Sequence, residues 1–364
     1  MKKLSGKRIR RILIWCLLAI NLVLFAGCAS SAFFIQKNLK QGGYLVSWSE
    51  DDGQVLTGLK YGGGKKNRYD LYIPKNADPK TATPLLLFIH GGSWTEGSRS
   101  DMAYACKYYA QNGCITATMD YSLISRQNES ITIKTMLDEI SACISALKKQ
   151  LRKTGYHISG LALGGTSAGG HLALLYAYSR AGESAIPIMF VFEKVGPVSV
   201  RKEFWGEDVS AMLIGVGARV QVDPKDLDAP ETVEAANSLS PLHFIGPDSP
   251  PTIFAYGGND DLVKPVHRDE LAKALEKYRV PNIRIDFPKS NHAMWDDPDS
   301  TEAFRKAILQ YCERYGKNCP DGTENEPDGA DRDGARSRET PGAANEAGND
   351  IPGAQRSGLI GKSA

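Results

Sequence analysis
Short apolar runs alternate with amphipathic stretches through the middle of this chain. Residues 84–89 (PLLLFI), 115–119 (ITATM), 158–163 (ISGLAL), 188–192 (IMFVF), 252–256 (TIFAY) and 283–287 (IRIDF) have the length and composition of buried strands. Between and after them, residues 101–111, 133–149, 168–178, 266–278 and 301–315 read as helices. The second of these sets Met136, Ile140, Ile144 and Leu147 on one face. Ahead of this series, residues 55–61 and 68–73 read as two strands. They are joined by Gly62-Gly63-Gly64-Lys65-Lys66-Asn67, a hairpin connection. That glycine run lacks the G-x-x-x-x-G-K-[ST] spacing of a phosphate loop and leads into a strand rather than a helix. Strands that alternate with helices predict an α/β domain, a mostly parallel central sheet with helices on both faces. Residues 199–239 show no clear period and read as an irregular insertion carrying Phe204, Trp205, Met212, Leu213 and Ile214. No internal repeat interrupts this order.

The two ends depart from the pattern. Lys2, Lys3, Lys7, Arg8, Arg10 and Arg11 precede an almost wholly apolar run over residues 12–26, broken by Asn21. A charged segment followed by an apolar one is an export signal. It closes on Leu24-Phe25-Ala26-Gly27-Cys28, a lipobox-like end that makes Cys28 the candidate lipidation site. Phe25 fits that pattern poorly. Residues 12–35 are also long enough to span a bilayer as an uncleaved anchor, with the basic end cytoplasmic. Lipoprotein, anchored and plainly secreted forms all put the folded part outside the cytoplasm, and the first two attach it to a membrane. The expected organisation is an export or anchor segment over 1–35, one catalytic domain over 44–316 and a tail over 317–364. The tail is rich in Gly, Asp, Glu, Ala, Asn and Pro, and from Pro320 onward it has only Ile351, Leu359 and Ile360 as large aliphatics. Such a segment buries too little surface to offset its chain entropy and is expected to be disordered.

The formal net charge of +2 hides this division. With the six basic residues of the first eleven positions set aside, the rest of the chain carries −4, which argues against a nucleic-acid partner. Seven cysteines without a C-x-x-C pair or a cysteine–histidine spacing suited to zinc give neither a disulfide scaffold nor a metal site. Cys106, Cys114 and Cys143 fall in apolar runs, whereas Cys312 and Cys319 are close enough in sequence to bridge.

Chemistry concentrates at the ends of the predicted strands. Gly165-Thr166-Ser167-Ala168-Gly169 fits G-x-S-x-G between a strand and a helix, the setting that exposes a serine hydroxyl on a strained turn. The helix start behind the serine favours negative charge forming in front of it. Strand 84–89 runs into His90-Gly91-Gly92-Ser93-Trp94. The N–H groups of Gly92 and Ser93, with that of Ala168, are candidate oxyanion donors, and Gly91 shapes the turn. Strand 252–256 leads to Gly257-Gly258-Asn259-Asp260-Asp261-Leu262-Val263, and strand 283–287 to Ser290-Asn291-His292. The order is serine, acid, histidine. A serine hydroxyl is a weak nucleophile until a neighbouring base takes its proton, and an aspartate fixes that base's tautomer. His292 alone among the histidines follows the last strand. His90 belongs to the oxyanion loop, His171 lies one turn after Ser167 and reads as packing, and His157, His243 and His267 read as structural or solvated.

This set of motifs resembles the α/β-hydrolases, specifically the HGG-type esterase and lipase group. It is most similar to the bacterial feruloyl and acetyl esterase-like (BD-FAE-like) branch. The resemblance rests on Tyr69-Asp70-Leu71-Tyr72-Ile73-Pro74, His90–Trp94, Asp120-Tyr121-Ser122-Leu123, Gly165–His171 and Gly257-x-x-Asp260-x-x-Val263, and covers residues 44–316. Ser93 replaces the commoner third glycine, and Lys264 stands where proline often follows the valine. The resemblance implies a triad of Ser167, Asp260 and His292, since the family's acid lies three residues before the valine; adjacent Asp261 is the competing choice. It implies hydrolysis of carboxylic esters, short-chain or carbohydrate-linked acetyl or feruloyl, through an acyl-enzyme, with no metal or organic cofactor. Trp94, Trp205, Met212 and Trp295 are candidates for the pocket wall. The alternatives are an amidase such as an arylformamidase, a peptidase, or a catalytically inactive binding module of the same fold.

Overall fold
The computed structural model describes residues 45–316 apart from 126, 127 and 129. The segment read from the sequence as an export signal, with Cys28, and the C-terminal segment with Cys319 lie outside the described residues. Among the described residues no helix is long and apolar enough to cross a membrane.

The apolar runs become eight strands of one sheet: β1 (Gly53–Lys60), β2 (Arg68–Pro74), β3 (Thr83–Ile89), β4 (Ile115–Met119), β5 (Ile158–Thr166), β6 (Ile188–Lys194), β7 (Thr252–Gly257) and β8 (Asn282–Phe287). Their spatial order is β1-β2-β4-β3-β5-β6-β7-β8. β1 pairs antiparallel with β2, and β2 antiparallel with β4. Every later pairing is parallel. The central strands are buried almost throughout because helices cover both faces, and their sequences are accordingly rich in apolar and small residues rather than alternating with charged ones.

The covering helices are α1 (Ala103–Gln111), α2 (Ile133–Lys153), α3 (Ala168–Arg180), α4 (Lys202–Trp205), α5 (Glu207–Ala218), α6 (Pro230–Ser238), α7 (Pro241–Phe244), α8 (Pro265–Lys277) and α9 (Pro298–Gly316). The predicted face of α2 is buried through Met136, Ile140, Ile144 and Leu147, and Thr132 caps its start by accepting the N–H of Thr135. Residues 199–239 are a correction to the sequence reading. They are largely helical, as α4, α5 and α6. The periodicity was invisible because apolar side chains occupy more than one face of α5: Ala211 and Ile214 point inward while Val209, Met212 and Val216 remain exposed.

Because the strands from β3 onward are parallel, the residues after β3, β5, β7 and β8 emerge at one edge of the sheet. The HGG loop, the serine, the acid and the histidine follow those four strands, so the topology alone brings them to one edge.

Candidate active site
Ser167 is held on a sharp turn with φ 56° and ψ −123°, a backbone conformation that L-residues rarely adopt. Its N–H donates to the Lys194 carbonyl at 2.8 Å, and its carbonyl accepts the His171 N–H at 2.9 Å. The flanking glycines make the turn possible. A Cβ on Gly169 would lie 2.1 Å from the Ile89 oxygen, and one on Gly165 would lie 2.4 Å from the Gly169 carbonyl carbon.

His292 Nε2 lies 3.0 Å from Ser167 Oγ, and His292 Nδ1 lies 2.7 Å from Asp260 Oδ2. With the carboxylate accepting from Nδ1–H, Nε2 is left with its lone pair toward the hydroxyl. Asp260 is buried, and its second oxygen accepts the N–H groups of Leu262 and Val263, each at 2.9 Å. Asp261 is exposed. The acid that faces the histidine is therefore Asp260. The position where proline was expected is the residue before α8, and the proline stands one place later as Pro265 at the helix start. The loop carrying His292 is clamped by Asp297, whose Oδ2 accepts from Lys289 N–H, Ser290 N–H and Ser290 Oγ–H.

The HGG loop is fixed from behind by the motifs at β2 and β4. Arg99 pairs with Asp70 and with Asp120, and the Tyr121 ring stacks on His90 with centroids 4.2 Å apart. The Tyr121 hydroxyl donates to the His90 carbonyl, and His90 Nδ1–H donates to the Gly91 carbonyl at 2.7 Å. Burial holds the His90 imidazole below its usual range, so the ring is neutral in this role. Gly92 has φ 108°, and a Cβ there would lie 2.3 Å from the Glu96 oxygen. Ser93 and Trp94 are also left-handed, at 50° and 62°, although neither is glycine. This local strain is held in place by the surrounding packing. The Gly92 carbonyl accepts from Thr95 and Glu96 N–H, whereas the N–H groups of Gly92, Ser93 and Ala168 make no hydrogen bond among the described residues.

Ser167 opens on a cavity of about 360 Å³ lined by Ser93, Trp94 and Ala168 on the loop side and by Trp205, Met212 and Leu213 on the cap side. Trp94, Trp205 and Met212, the sequence's candidates for a pocket wall, are among the residues lining this cavity. Trp295 does not line this cavity, a correction to the sequence reading: it follows the left-handed turn at Met294 (φ 58°), which buries the Met294 side chain instead. Sequence reasoning also missed the part played by His171. Trp94 Nε1–H donates to its Nδ1 at 3.3 Å, which leaves Nε2–H to donate to the Leu239 carbonyl at 2.8 Å. One buried imidazole thereby links the oxyanion loop, the elbow helix α3 and the end of the cap, and burial lowers its pKa to about 4. Its position one turn after the serine was the available signal; the partners come from elements distant in sequence.

A mostly parallel eight-stranded sheet with serine, acid and histidine following β5, β7 and β8 makes this protein an α/β-hydrolase. It belongs within that class to the BD-FAE family, whose model matches residues 69–275. A probable isoprenylcysteine alpha-carbonyl methylesterase of rice is 33% identical over 39% of this chain and 32% of its own length. A kynurenine formamidase of Danio rerio is 28% identical over 34% of this chain and 38% of its own. The probable carboxylic ester hydrolase LipM of Mycobacterium tuberculosis is 26% identical over 71% of this chain and 59% of its own. The chain thus spans only about a third of the first two relatives. Among solved structures, a tributyrin-phosphonate-inhibited esterase B from Lactobacillus rhamnosis superposes with a TM-score of 0.61 at 21% identity, covering 84% of this chain and 99% of the other. A carbohydrate esterase from gut microbiota gives 0.60 at 17%, covering 74% and 99%. At such identities the likeness concerns the fold.

Proposed function
We propose that this protein hydrolyses carboxylic esters through an acyl-enzyme on Ser167. The observation that carries the reading is the unbroken chain Ser167 Oγ–His292 Nε2–Asp260 at 3.0 and 2.7 Å, facing a cavity. In the reaction, His292 takes the serine proton as Oγ attacks the ester carbonyl. Asp260 keeps the imidazole in the required tautomer and offsets its positive charge. The oxygen of the tetrahedral intermediate gains negative charge beside the N–H groups of Gly92, Ser93 and Ala168, while Gly91 shapes that turn. The imidazolium then protonates the leaving alkoxide, and water deprotonated by His292 releases the acid. The names of several relatives, esterases and ester hydrolases, support this reading.

The kynurenine formamidase likeness supports amide cleavage by the same residues as a second reading. The basic run and apolar segment of residues 2–26 support an extracytoplasmic, membrane-attached enzyme, with Cys28 or an uncleaved helix as the attachment.

The test is hydrolysis of p-nitrophenyl esters by the full chain, beside Ser167→Ala. The expected loss in kcat is about 10⁴-fold or more, together with loss of fluorophosphonate labelling. A wild-type protein that neither turns over esters nor reacts with a fluorophosphonate is a binding module, and one that labels but cleaves only aryl formamides is an amidase.

A further inference from the structure
Large hydrophobic side chains are rarely left in water without a reason, and a cluster of them marks a contact made in function. Among the described residues six large hydrophobic side chains are exposed, by between 38% and 56%: Leu45, Val209, Met212, Val216, Val220 and Leu262. Four of these, Val209, Met212, Val216 and Leu262, line the cavity that opens on Ser167. Met212 is 56% exposed and Leu262 54%. Val209, Met212 and Val216 repeat at helical spacing along one side of α5, and Val220 follows just beyond its end. From Val209 to Ala218 this surface helix contains no charged residue. Leu262 faces it from the segment next to Asp260. The cavity mouth is therefore bordered by hydrocarbon.

The interior has the same character. Among the described residues, no Asp, Glu, Lys, Arg, Asn or Gln lines the cavity. Its polar edges are mostly engaged: Trp94 Nε1–H on His171, Trp205 Nε1–H on the Ser199 carbonyl at 2.7 Å, and His171 Nε2–H on the Leu239 carbonyl. A sugar hydroxyl entering here would lose its water and find few partners, which costs more than burial returns. A methylene chain would lose nothing and fill the space. The cap that supplies this wall is braced: Arg219, at the end of α5, donates to the carbonyls of Ile131, Ser125 and Asn128.

Resting on the esterase reading, we propose that the acyl group this site accepts is an aliphatic chain longer than acetyl. It runs from Ser167 through the cavity and out along the border formed by Met212, Val216 and Leu262, so that the substrates are lipid-like esters rather than acetylated or feruloylated sugars.

The experiment compares kcat/KM of the full chain on monomeric p-nitrophenyl esters from acetate to decanoate, and on alkyl acetates of matched total length. Each methylene buried is expected to raise kcat/KM about fourfold until the cavity is full, in the acyl series and not in the alcohol series. Met212→Asp and Leu262→Asp should reduce the octanoate-to-acetate ratio at least tenfold, with circular dichroism unchanged. The preference is read again from labelling rates of short- and long-alkyl fluorophosphonates, which require only a reactive Ser167. A ratio that peaks at acetate, a gain confined to the alcohol series, or border variants with the wild-type ratio would overturn the assignment while leaving the esterase intact. Failure of every ester and of both probes would instead remove the esterase reading, and this assignment with it.

Discussion

At the scale of single residues, three buried ionisable groups near the elbow have no part in the proposed chemistry, and each shows what the fold tolerates. Glu193 accepts the Gly196 N–H at 2.6 Å and packs behind Gly170, and complete burial raises its pKa well above the usual carboxylate range. His267 accepts the Val198 N–H at 3.1 Å and lies beside Phe204 and Trp205. Lys194 ends β6 with its ammonium over the rings of Phe304 and Phe287, at 4.9 and 5.3 Å from their centroids. It makes no ion pair among the described residues, and burial followed by repulsion from Arg305 lowers its pKa to about 7. An unfolded lysine titrates near 10.5, so between about pH 7 and 10.5 the unfolded chain holds the extra proton and stability rises with pH through this window. Below pH 7 the buried charge exerts its full cost. Lys194→Met is therefore expected to raise Tm at pH 6.5, by about 2–4 °C for each kcal/mol recovered. The gain over wild type should shrink as the pH is taken to 9. A variant less stable than wild type at pH 6.5 would mean that the two ring contacts outweigh desolvation.

At the scale of elements, the elbow depends on contact between α3 and the end of β3. The Cβ of an alanine at position 169 would meet two backbone oxygens, of Ile89 at 2.1 Å and His90 at 2.5 Å, and neither can yield without displacing the HGG loop. Gly169→Ala is expected to cut kcat by more than about 100-fold, the scale on which a misplacement of about 1 Å acts. The matching substitution at Gly182, where nothing lies within 4 Å, should leave activity unchanged. Equal activity in the two variants would show that the helix has slack that the geometry denies. The elements themselves were legible to different degrees. The strand-turn-helix around Ser167 was readable because its chemistry is local: a buried run, two glycines and a helix-forming run. The cap helices α4 to α6 were not, because α5 has one apolar side packed on the domain and another facing the cavity, which removes the contrast that betrays a surface helix.

At the scale of the whole molecule, the buried histidines couple stability to pH. His171 titrates near 4 and His267 near 3 in the fold, and His90 is also lowered, all through burial. Unfolded, each binds a proton near 6.5, so the unfolded state gains protons first as the pH falls and stability declines below 6.5. Glu193 works in the opposite sense above pH 4.5, since its carboxyl stays protonated only in the fold. With three rings set against one carboxyl, unfolding takes up protons on balance below pH 6.5 and stability falls as the pH falls. Urea midpoints measured at pH 7, 6 and 5 should fall in that order, and a flat profile would mean that these rings are hydrated or charged in the folded protein.

Local pattern along the chain was enough to give the class of fold and to nominate the central groups of the site. Alternating buried strands and amphipathic helices permit little other than a parallel sheet between helix layers, and the motifs at the strand ends need only local order to be recognised. The spacing to Val263 also favoured Asp260 over its neighbour. Tertiary structure decided what depends on partners distant in sequence. It made Asp260 the buried acid facing His292 and left Asp261 in solvent; it moved Trp295 off the cavity wall; it joined Trp94, His171 and Leu239 across 145 residues. It also placed β4 between β2 and β3, an order set by how the layers pack rather than by any pattern along the chain. The apolar border of the cavity belongs to the same group, since Leu262 and α5 are far apart in sequence and only the folded chain sets them on either side of one opening.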